Sequence, residues 1–204
     1  MGQDPGSGPL EKVTLLRAGE RSDGIYDEWA AAYESDLLDT FGYTGHVIAA
    51  EALLECLTDP NTAIVDYGCG TGLVGEHLSA AGYSVVDGVD YSPGMLDVSR
   101  VKGCYRATIQ ADLTRPLDIP DGAYDAMICA GVMGAGHLVP EHFAELFRTV
   151  KPGGPIVLFG NGTPYIDEGY DARFTALDWT IERTKMVNYM TALQRPGVLV
   201  VGRR

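Results

Sequence analysis

One short segment, the run AIVDYGCGTG at residues 63–72, constrains this chain more than any other part of its sequence. Its apolar, β-rich start predicts a buried strand, and glycines then follow at every second position. Glycine lets a backbone turn sharply and pass close beneath a ligand, where a Cβ atom would collide. Such turns also occur where a helix simply packs tightly on a strand. The segment predicts a strand that enters a tight turn and, as a hypothesis, a cofactor site there.

Strand and helix patterns alternate after this turn, which predicts a parallel sheet with helices on both faces. The chain end differs, because two strand patterns follow each other without a helix between them and so predict an antiparallel hairpin. Two helices are predicted before the turn, from Gly24 to about Gly42 and from about Gly45 to Leu57. The remaining elements are predicted helices near 72–81, 93–102 and 140–150, and predicted strands in 84–90, 105–110, 124–131, 155–161, 176–190 and 197–204.

Charge and size limit the partners that this chain can have. The 204 residues suffice for one well-buried α/β domain, which we assign to 11–204, after a tail at 1–10 that is rich in glycine and proline. The formal net charge of −13 repels phosphate backbones and anionic headgroups. We therefore expect neither a nucleic acid nor a membrane as partner, while a monomer and a homodimer both stay open.

The N-terminus and the cysteines indicate the compartment. The opening MGQDPGSGPL lacks the basic start and apolar centre of a signal peptide, and no apolar run approaches the roughly 18 residues of a membrane span. Four scattered cysteines form no C-x-x-C pair and read as reduced thiols. We expect a cytoplasmic protein with no metal site.

Two acidic residues follow the next two predicted strands. Asp90 ends a strand about 22 residues after Gly68, a spacing typical of the carboxylate that binds both ribose hydroxyls of a nucleotide. Asp112 is a candidate partner for the exocyclic amine of adenine, with Leu113 packing on the ring. Aspartate is also a common turn residue, so a purely structural role stays open for both.

The glycine spacing and Asp66 favour one class of cofactor. A dinucleotide fingerprint is G-x-G-x-x-G, whereas this chain has G-x-G-x-G and places Leu73 at the position of the third glycine. Asp66 would repel the pyrophosphate of a dinucleotide but would attract the ammonium of a methionyl group. The sequence thus favours S-adenosylmethionine, and a nucleotide-dependent oxidoreductase is the rival enzyme.

Five segments in this order resemble the motif series of class I S-adenosylmethionine-dependent methyltransferases: IVDYGCGTG, GVDYSPGML, ADLTRPL, YDAMICAGVM and VKPGGPIVLF. The resemblance covers residues 25–204. Within the superfamily, YDEWAAAY and GHLVPEHFAELFRTVKPGG are similar to the small methyltransferase-like proteins of the Williams-Beuren-region group. The resemblance implies an α/β three-layer Rossmann-like sandwich. Its seven-stranded, mostly parallel sheet has the order 3-2-1-4-5-7-6 with the last strand antiparallel, and N-terminal helices within 11–58 cover the cofactor site.

The resemblance also implies a role for individual residues. The turn through Cys69 would hold the methionyl part of the cofactor with Asp66 and the backbone of Gly68 and Gly70. The main chain at Cys129 and Ala130 would accept the cofactor's ammonium. The ribose would lie on Asp90, the adenine face on Tyr91 and Met95, and the adenine edge on Asp112 and Leu113.

Three further residues are implied near the reacting groups. In the family the N-terminal helix folds over the cofactor, and Tyr26 and Tyr33 share one face of the predicted helix, where they would reach its carboxylate or sulfonium. That face can equally be the apolar one that packs on the sheet, where Trp29 is core or pocket wall. His137 follows the fourth sheet motif, where this fold opens its acceptor pocket, and histidine suits a general base near neutral pH. Its alternative role is to cap or pack the next helix.

The expected activity is methyl transfer to a small-molecule O, N or S nucleophile, with S-adenosylhomocysteine as product. The absence of a large insertion for macromolecular recognition favours a small acceptor. Asn161, Tyr165 and Tyr189 are pocket candidates, because they follow or face the carboxyl end of the fifth strand. A noncatalytic S-adenosylmethionine-binding protein and a protein methyltransferase stay as alternatives.

Overall fold

A computed structural model represents the protein and describes residues 8, 9, 12, 23–134 and 137–204. The predicted tail at 1–10 and the start of the predicted N-terminal cover at 11–22 lie outside the described residues, apart from positions 8, 9 and 12.

Seven strands of the described residues form one sheet, and they are β1 Ile64–Tyr67, β2 Val86–Asp90, β3 Ala107–Gln110, β4 Ala126–Ala130, β5 Pro155–Asn161, β6 Thr180–Met190 and β7 Arg195–Arg203. The strand order is β3-β2-β1-β4-β5-β7-β6. β1 to β5 pair in parallel, whereas β7 runs antiparallel to both of its neighbours. The predicted order and the predicted antiparallel hairpin are both confirmed.

Helices cover both faces of this sheet, and they are α1 Asp23–Trp29, a π-helical turn Ser35–Thr40, α2 Gly45–Leu54, α3 Leu73–Ala80, α4 Pro93–Lys102, a 3₁₀ turn Pro140–His142, α5 Phe143–Arg148, α6 Gly162–Asp167 and α7 Tyr170–Thr175. Successive strand residues point to opposite faces, so Ile64 packs with α2 and α3 while Val65 packs with α5. The result is the expected three-layer arrangement, and it places the carboxyl ends of β1, β2, β4 and β5 at one edge.

The N-terminal helix differs from the prediction of a single helix to Gly42. It ends at Trp29, and a turn and the π-helical segment follow. The buried indole N–H of Trp29 donates to Oδ2 of Asp36 at 2.7 Å, and the amide of Tyr43 donates to the carbonyl of Leu37. These contacts fold the chain back toward the sheet, which a straight helix would prevent.

The segment after β5 also differs from the polar loop considered for it. It forms α6 and α7, and the side chain of Asn161 accepts a hydrogen bond from the amide of Thr163 at the start of α6. Asparagine is a favoured N-cap residue, which explains why a helix begins there.

Candidate functional site

The glycine turn lies at the carboxyl edge of the sheet, between the ends of β1 and β2. Gly68 and Gly70 have φ angles of 72° and 52°, which glycine adopts at little steric cost. A Cβ atom on Gly68 would lie 2.2 Å from Cγ1 of Val132, so tight packing accounts for that glycine. A Cβ atom on Gly70 would meet no other heavy atom within 4 Å. The backbone at Gly70 therefore borders open space, as a ligand-binding turn requires.

Asp90 lies beside this turn at the end of β2. The amide of Gly70 donates to its Oδ2 at 2.8 Å, and the amide of Ser92 donates to its Oδ1 at 2.9 Å. Burial raises the pKa of this carboxyl, while the two amide hydrogen bonds lower it. These bonds fix the carboxylate in one orientation next to Gly70.

Asp66 is almost fully buried under the turn, with 1% of its surface exposed. The hydroxyl of Tyr105 donates to its Oδ2 at 2.6 Å, and the same hydroxyl accepts the amide of Gly75 at 3.2 Å. Burial raises the pKa of Asp66 from 3.8 to about 7, against the effect of the Tyr105 hydrogen bond and with the charge of Asp90. Asp66 thus changes charge near neutral pH.

The residues predicted to surround adenine differ in exposure. Tyr91 is 40% exposed next to Asp90, whereas Met95 and Leu113 are buried. Oδ1 of Asp112 accepts hydrogen bonds from the amide and the hydroxyl of Thr114, at 3.0 and 2.6 Å. That is the turn-forming role considered for Asp112, and it constrains the carboxylate at the end of β3.

The two cysteines of the predicted site are buried thiols. Burial raises the pKa of Cys69 and Cys129 well above its ordinary value, and the charges of Asp66 and Asp90 act in the same direction. The four cysteines of the chain are free. Cys129 follows Ile128, which pairs with Asp66 of β1, so the structure brings its main chain to the same edge as the glycine turn.

Helix α1 connects the residues after β2, beside the glycine turn, to the residues after β4. Oδ1 of Asp27 accepts a hydrogen bond from the amide of Gly94 at 3.1 Å and from the hydroxyl of Ser92. On the same helix, the Tyr26 hydroxyl lies 3.0 Å from Nε2 of His137. Two consecutive residues therefore attach α1 to the loop after β2 and to the loop after β4.

The tyrosines of the N-terminal segment face the carboxylate at the end of β2. Burial raises the pKa of Tyr26 and of Tyr33 well above the ordinary value, and the charge of Asp90 contributes to both shifts. Tyr26 and Tyr33 therefore pack within the N-terminal segment and lie close enough to Asp90 for its charge to act on them. Their contact with the cofactor's carboxylate or sulfonium stays a prediction.

A cavity of about 130 Å³ lies between this N-terminal segment and the edge of the sheet. Aromatic side chains surround it, and the predicted candidates Tyr26, Tyr33, His137, Asn161 and Tyr189 all line it. Trp29 is part of its wall, as expected. His137 thus lies at the cavity and does not only pack a helix.

One pocket candidate, Tyr165, and a second histidine near His137, His142, lie elsewhere. Tyr165 packs in the core on the α5 side and donates a hydrogen bond to Oδ1 of Asp171 at 2.9 Å. Nδ1 of His142 accepts a hydrogen bond from the amide of Val139 at 3.2 Å. Neither side chain lines the cavity.

Some residues of this region escaped sequence reasoning. No sequence motif marks these residues, and they are far in sequence from the groups they face. They are Tyr105, Asp27 and Arg195. A signal for Arg195 existed, because the first residue of an antiparallel strand lies at the edge where the parallel strands end.

Two further features of the described residues concern metal binding and membrane-spanning helices. They contain no cluster of three or more His, Cys, Asp or Glu side chains that could hold a metal ion. Among the helices of the described residues, none combines the length and the apolar character needed to cross a bilayer.

Comparison with known proteins gives the family context. A family model described as "Methyltransferase domain" matches residues 64–154, which run from β1 to the start of β5. The chain is 37% identical over 137 residues to methyltransferase-like protein 27 of Homo sapiens, covering 66% of this chain and 55% of that protein. It is 30% identical over 151 residues to the malonyl-[acyl-carrier protein] O-methyltransferase of Serratia marcescens, covering 74% of this chain and 53% of that protein. The chain spans about half the length of these curated relatives.

A solved structure has the same fold. An S-adenosylmethionine-dependent methyltransferase of Mesorhizobium loti superposes with a TM-score of 0.61 at 22% identity, over 78% of this chain and 100% of that one. The similarity supports the Rossmann-like architecture derived above.

Proposed function

We propose that this chain, which belongs to the class I S-adenosylmethionine-dependent methyltransferases, transfers a methyl group to a small-molecule O, N or S nucleophile. The observation that carries the proposal is the hydrogen bond between Gly70 and Asp90, at the sheet edge that also borders a cavity lined by aromatic side chains. It joins a turn with open space above it to a carboxylate suited to bind ribose. The N-terminal segment lines this cavity and contacts Ser92 and Gly94, directly after that carboxylate.

The residues of the edge fit the family's cofactor, S-adenosylmethionine. Asp90 would accept the ribose hydroxyls, with Tyr91, Met95, Leu113 and Asp112 around the adenine. The backbone at Gly68 and Gly70, the main chain at Cys129 and Ala130, and the carboxylate of Asp66 would hold the methionyl part. The open space at Gly70 supports this assignment.

The protein's main contributions are alignment and exclusion of water. When bound, S-adenosylmethionine supplies a sulfonium methyl group whose carbon forms a bond to the nucleophile while the C–S bond breaks, leaving the electron pair on sulfur. Positioning of the two reactants is worth on the order of 7 to 11 kcal/mol. Trp29 and Leu37, each 3% exposed, give part of the cavity an apolar lining.

The contact between Tyr26 and His137 provides a path for the acceptor's proton. Burial raises the pKa of Tyr26 and keeps its hydroxyl neutral. In the His137 tautomer that carries the proton on Nδ1, this hydroxyl donates to Nε2. The hydroxyl oxygen can then accept a hydrogen bond from the acceptor. As the methyl group bonds to the acceptor, the acceptor's proton passes to Tyr26 and the Tyr26 proton passes to His137.

Binding and turnover test the two halves of this proposal separately. Calorimetric titration with S-adenosylhomocysteine is expected to give a saturable isotherm, and absence of binding at millimolar ligand would refute the cofactor site. Transfer of a labelled methyl group is then measured over a panel of phenols, amines, thiols and protein substrates. Binding without turnover on any of them would favour a noncatalytic protein, and turnover on proteins alone would contradict the small-molecule class.

Substitutions test the proton path. Tyr26→Phe and His137→Asn are expected to lower turnover of a hydroxyl acceptor by 10²-fold or more while they leave affinity for S-adenosylhomocysteine within a few fold. His142→Asn is the matched control, since His142 lies outside the cavity. Equal turnover in all three variants would remove the relay from the mechanism.

A further inference from the structure

Arg195 is the one permanently charged side chain among the described residues that line the cavity. It is the first residue of β7, and β7 runs antiparallel to β5, with Gly197 opposite Asn161. The antiparallel direction brings the start of β7 to the edge where β5 ends. A cation from the C-terminal hairpin therefore borders a cavity that is otherwise lined by uncharged side chains and one histidine.

This guanidinium has no carboxylate partner among the described residues. It forms no ion pair and no hydrogen bond with them, although the chain carries 28 acidic and 15 basic residues. Most other arginines of the described part do pair with a carboxylate, namely Arg100, Arg106, Arg148, Arg173, Arg183 and Arg203. A partly buried cation without an acidic partner among the described residues of so acidic a protein is suited to bind an anion that enters the cavity.

Arg195 lies close enough to Tyr189, which also lines the cavity, to affect the pKa of its hydroxyl. Burial raises the pKa of Tyr189, and the charge of Arg195 lowers it. Tyr189 also packs edge-on against Tyr43 and Phe159, with ring centroids 5.7 and 5.4 Å apart. The cation thus lies beside the aromatic wall that the sheet provides.

The opposite wall comes from the N-terminal segment. Tyr26 stacks on Trp29 with ring centroids 6.1 Å apart, and Trp29 meets Tyr33 edge-on at 4.8 Å. The space between the walls is about 130 Å³, and cavities of about 150 Å³ hold one benzene ring. Volume and lining both suit a single planar ring.

We infer that the methyl acceptor is a small aromatic carboxylate whose ring lies between these walls and whose carboxylate binds the Arg195 guanidinium. The nucleophilic atom then faces Tyr26 and His137. This inference rests on the proposed function, because it names the substrate of the same site. The carboxylate that Arg195 binds has one other possible source, the amino-acid end of the cofactor, and the experiment below separates the two.

Fluorine NMR on the full chain tests the inference without turnover. The probe is 4-fluorobenzoate, and 4-fluorobenzyl alcohol is the uncharged comparison with the same ring. Dissociation constants are measured with and without S-adenosylhomocysteine. We expect the benzoate to bind at least tenfold more tightly than the alcohol, and Arg195→Gln to abolish that difference without changing affinity for the alcohol.

Arg183→Gln is the matched control, because it removes one arginine of β6 that pairs with Glu55 outside the cavity. Its affinities should equal those of the wild type. Equal affinity of the two probes for the wild type, or no effect of Arg195→Gln, would overturn the inference. So would a tenfold loss of S-adenosylhomocysteine affinity in Arg195→Gln with benzoate binding unchanged, since the carboxylate would then be the cofactor's own.

The two proposals fail in different ways. Absence of S-adenosylhomocysteine binding removes the proposed function, yet benzoate binding that depends on Arg195 would still establish the anion site. Normal S-adenosylhomocysteine binding with no preference for benzoate leaves the methyltransferase proposal intact and removes the acceptor class.

Discussion

We expect the charge state of Asp66 to couple cofactor binding to pH, because the proposed function places the cofactor's ammonium beside this carboxyl. Burial raises its pKa in the free protein from 3.8 to about 7, so the carboxyl is largely protonated at pH 6. If the cofactor's ammonium binds beside it, the ionised form is favoured in the complex and the pKa falls there. Affinity for S-adenosylhomocysteine must then rise by up to tenfold per pH unit below pH 7, or about 50-fold from pH 5 to pH 7, and level off above it at about 100-fold.

Calorimetry between pH 5 and pH 8 measures this dependence directly. Titrations at pH 6 in two buffers with different ionisation enthalpies should also show release of close to one proton per ligand. Asp66→Asn is the informative variant, because an amide keeps the shape but cannot ionise. Its affinity should be at least tenfold below the wild type at pH 8, and the two proteins should converge near pH 5.

Burial also raises the pKa of the Asp90 carboxyl, so Asp90 contributes to the pH dependence of binding as well. Because Asp90 is present in both proteins, a comparison of the wild type with Asp66→Asn removes this contribution. Parallel pH profiles for wild type and Asp66→Asn would falsify the assignment of Asp66 to the ammonium. A wild-type affinity that does not change with pH would contradict it as well.

The raised pKa of Asp66 also makes the free energy of unfolding depend on pH. The pKa of Asp66 is higher in the folded than in the unfolded protein. The stabilisation of the fold by the protonated carboxyl is therefore fully present below about pH 4 and is lost as pH rises to about 7. The loss is on the order of 4 kcal/mol. Urea unfolding should therefore show the wild type losing stability relative to Asp66→Asn over this range, and no relative change between pH 7 and pH 8.

Three further substitutions test other contacts. Asp90→Ala removes the proposed ribose ligand and should weaken S-adenosylhomocysteine binding at least tenfold by calorimetry, so an unchanged affinity would rule out that role. Asp27→Asn weakens the attachment of α1 to the loop after β2 and should speed release of the same ligand a few fold in stopped-flow fluorescence, whereas identical rates would show that this contact does not retain it. Gly45→Ala places a Cβ atom 2.4 Å from Cε1 of Phe159 and should cost about 1 to 3 kcal/mol in thermal unfolding. Gly24→Ala, with no heavy atom within 4 Å, should be neutral by comparison, and equal stability of the two variants would contradict the packing argument.

The sheet could be predicted because each of its strands carries a local signal. β1 joins a buried run to a glycine turn, and Asp90 marks the end of β2 by its spacing. The strand order comes from the resemblance of the motif series to class I methyltransferases, whereas the residues themselves predict only a parallel sheet with helices on both faces and a terminal hairpin. The coupling of Gly70 to Asp90 follows from that topology, although the atoms involved do not.

The breaks in regular structure and the cavity wall could not be predicted in this way. The end of α1 depends on a hydrogen bond from Trp29 to Asp36, and helix periodicity is insensitive to such a contact. The environment of Asp66 depends on Tyr105, 39 positions away. Such contacts arise from tertiary packing, which overrides local propensity.

The arrangement of α1 has a consequence for the whole site. Asp27 contacts Ser92 and Gly94, directly after the carboxylate assigned to ribose, while its neighbour Tyr26 contacts His137 at the acceptor cavity. Consecutive residues on a helix cannot move independently, because the peptide bond that joins them and the i-to-i−4 hydrogen bonds of the helix fix their relative orientation. Any displacement of α1 that opens the cofactor side must therefore also separate Tyr26 from His137 and open the cavity. Under the proposed function, closure around the cofactor and assembly of the proton path would thus be one structural event, which would keep the reacting groups apart until both ligands are enclosed.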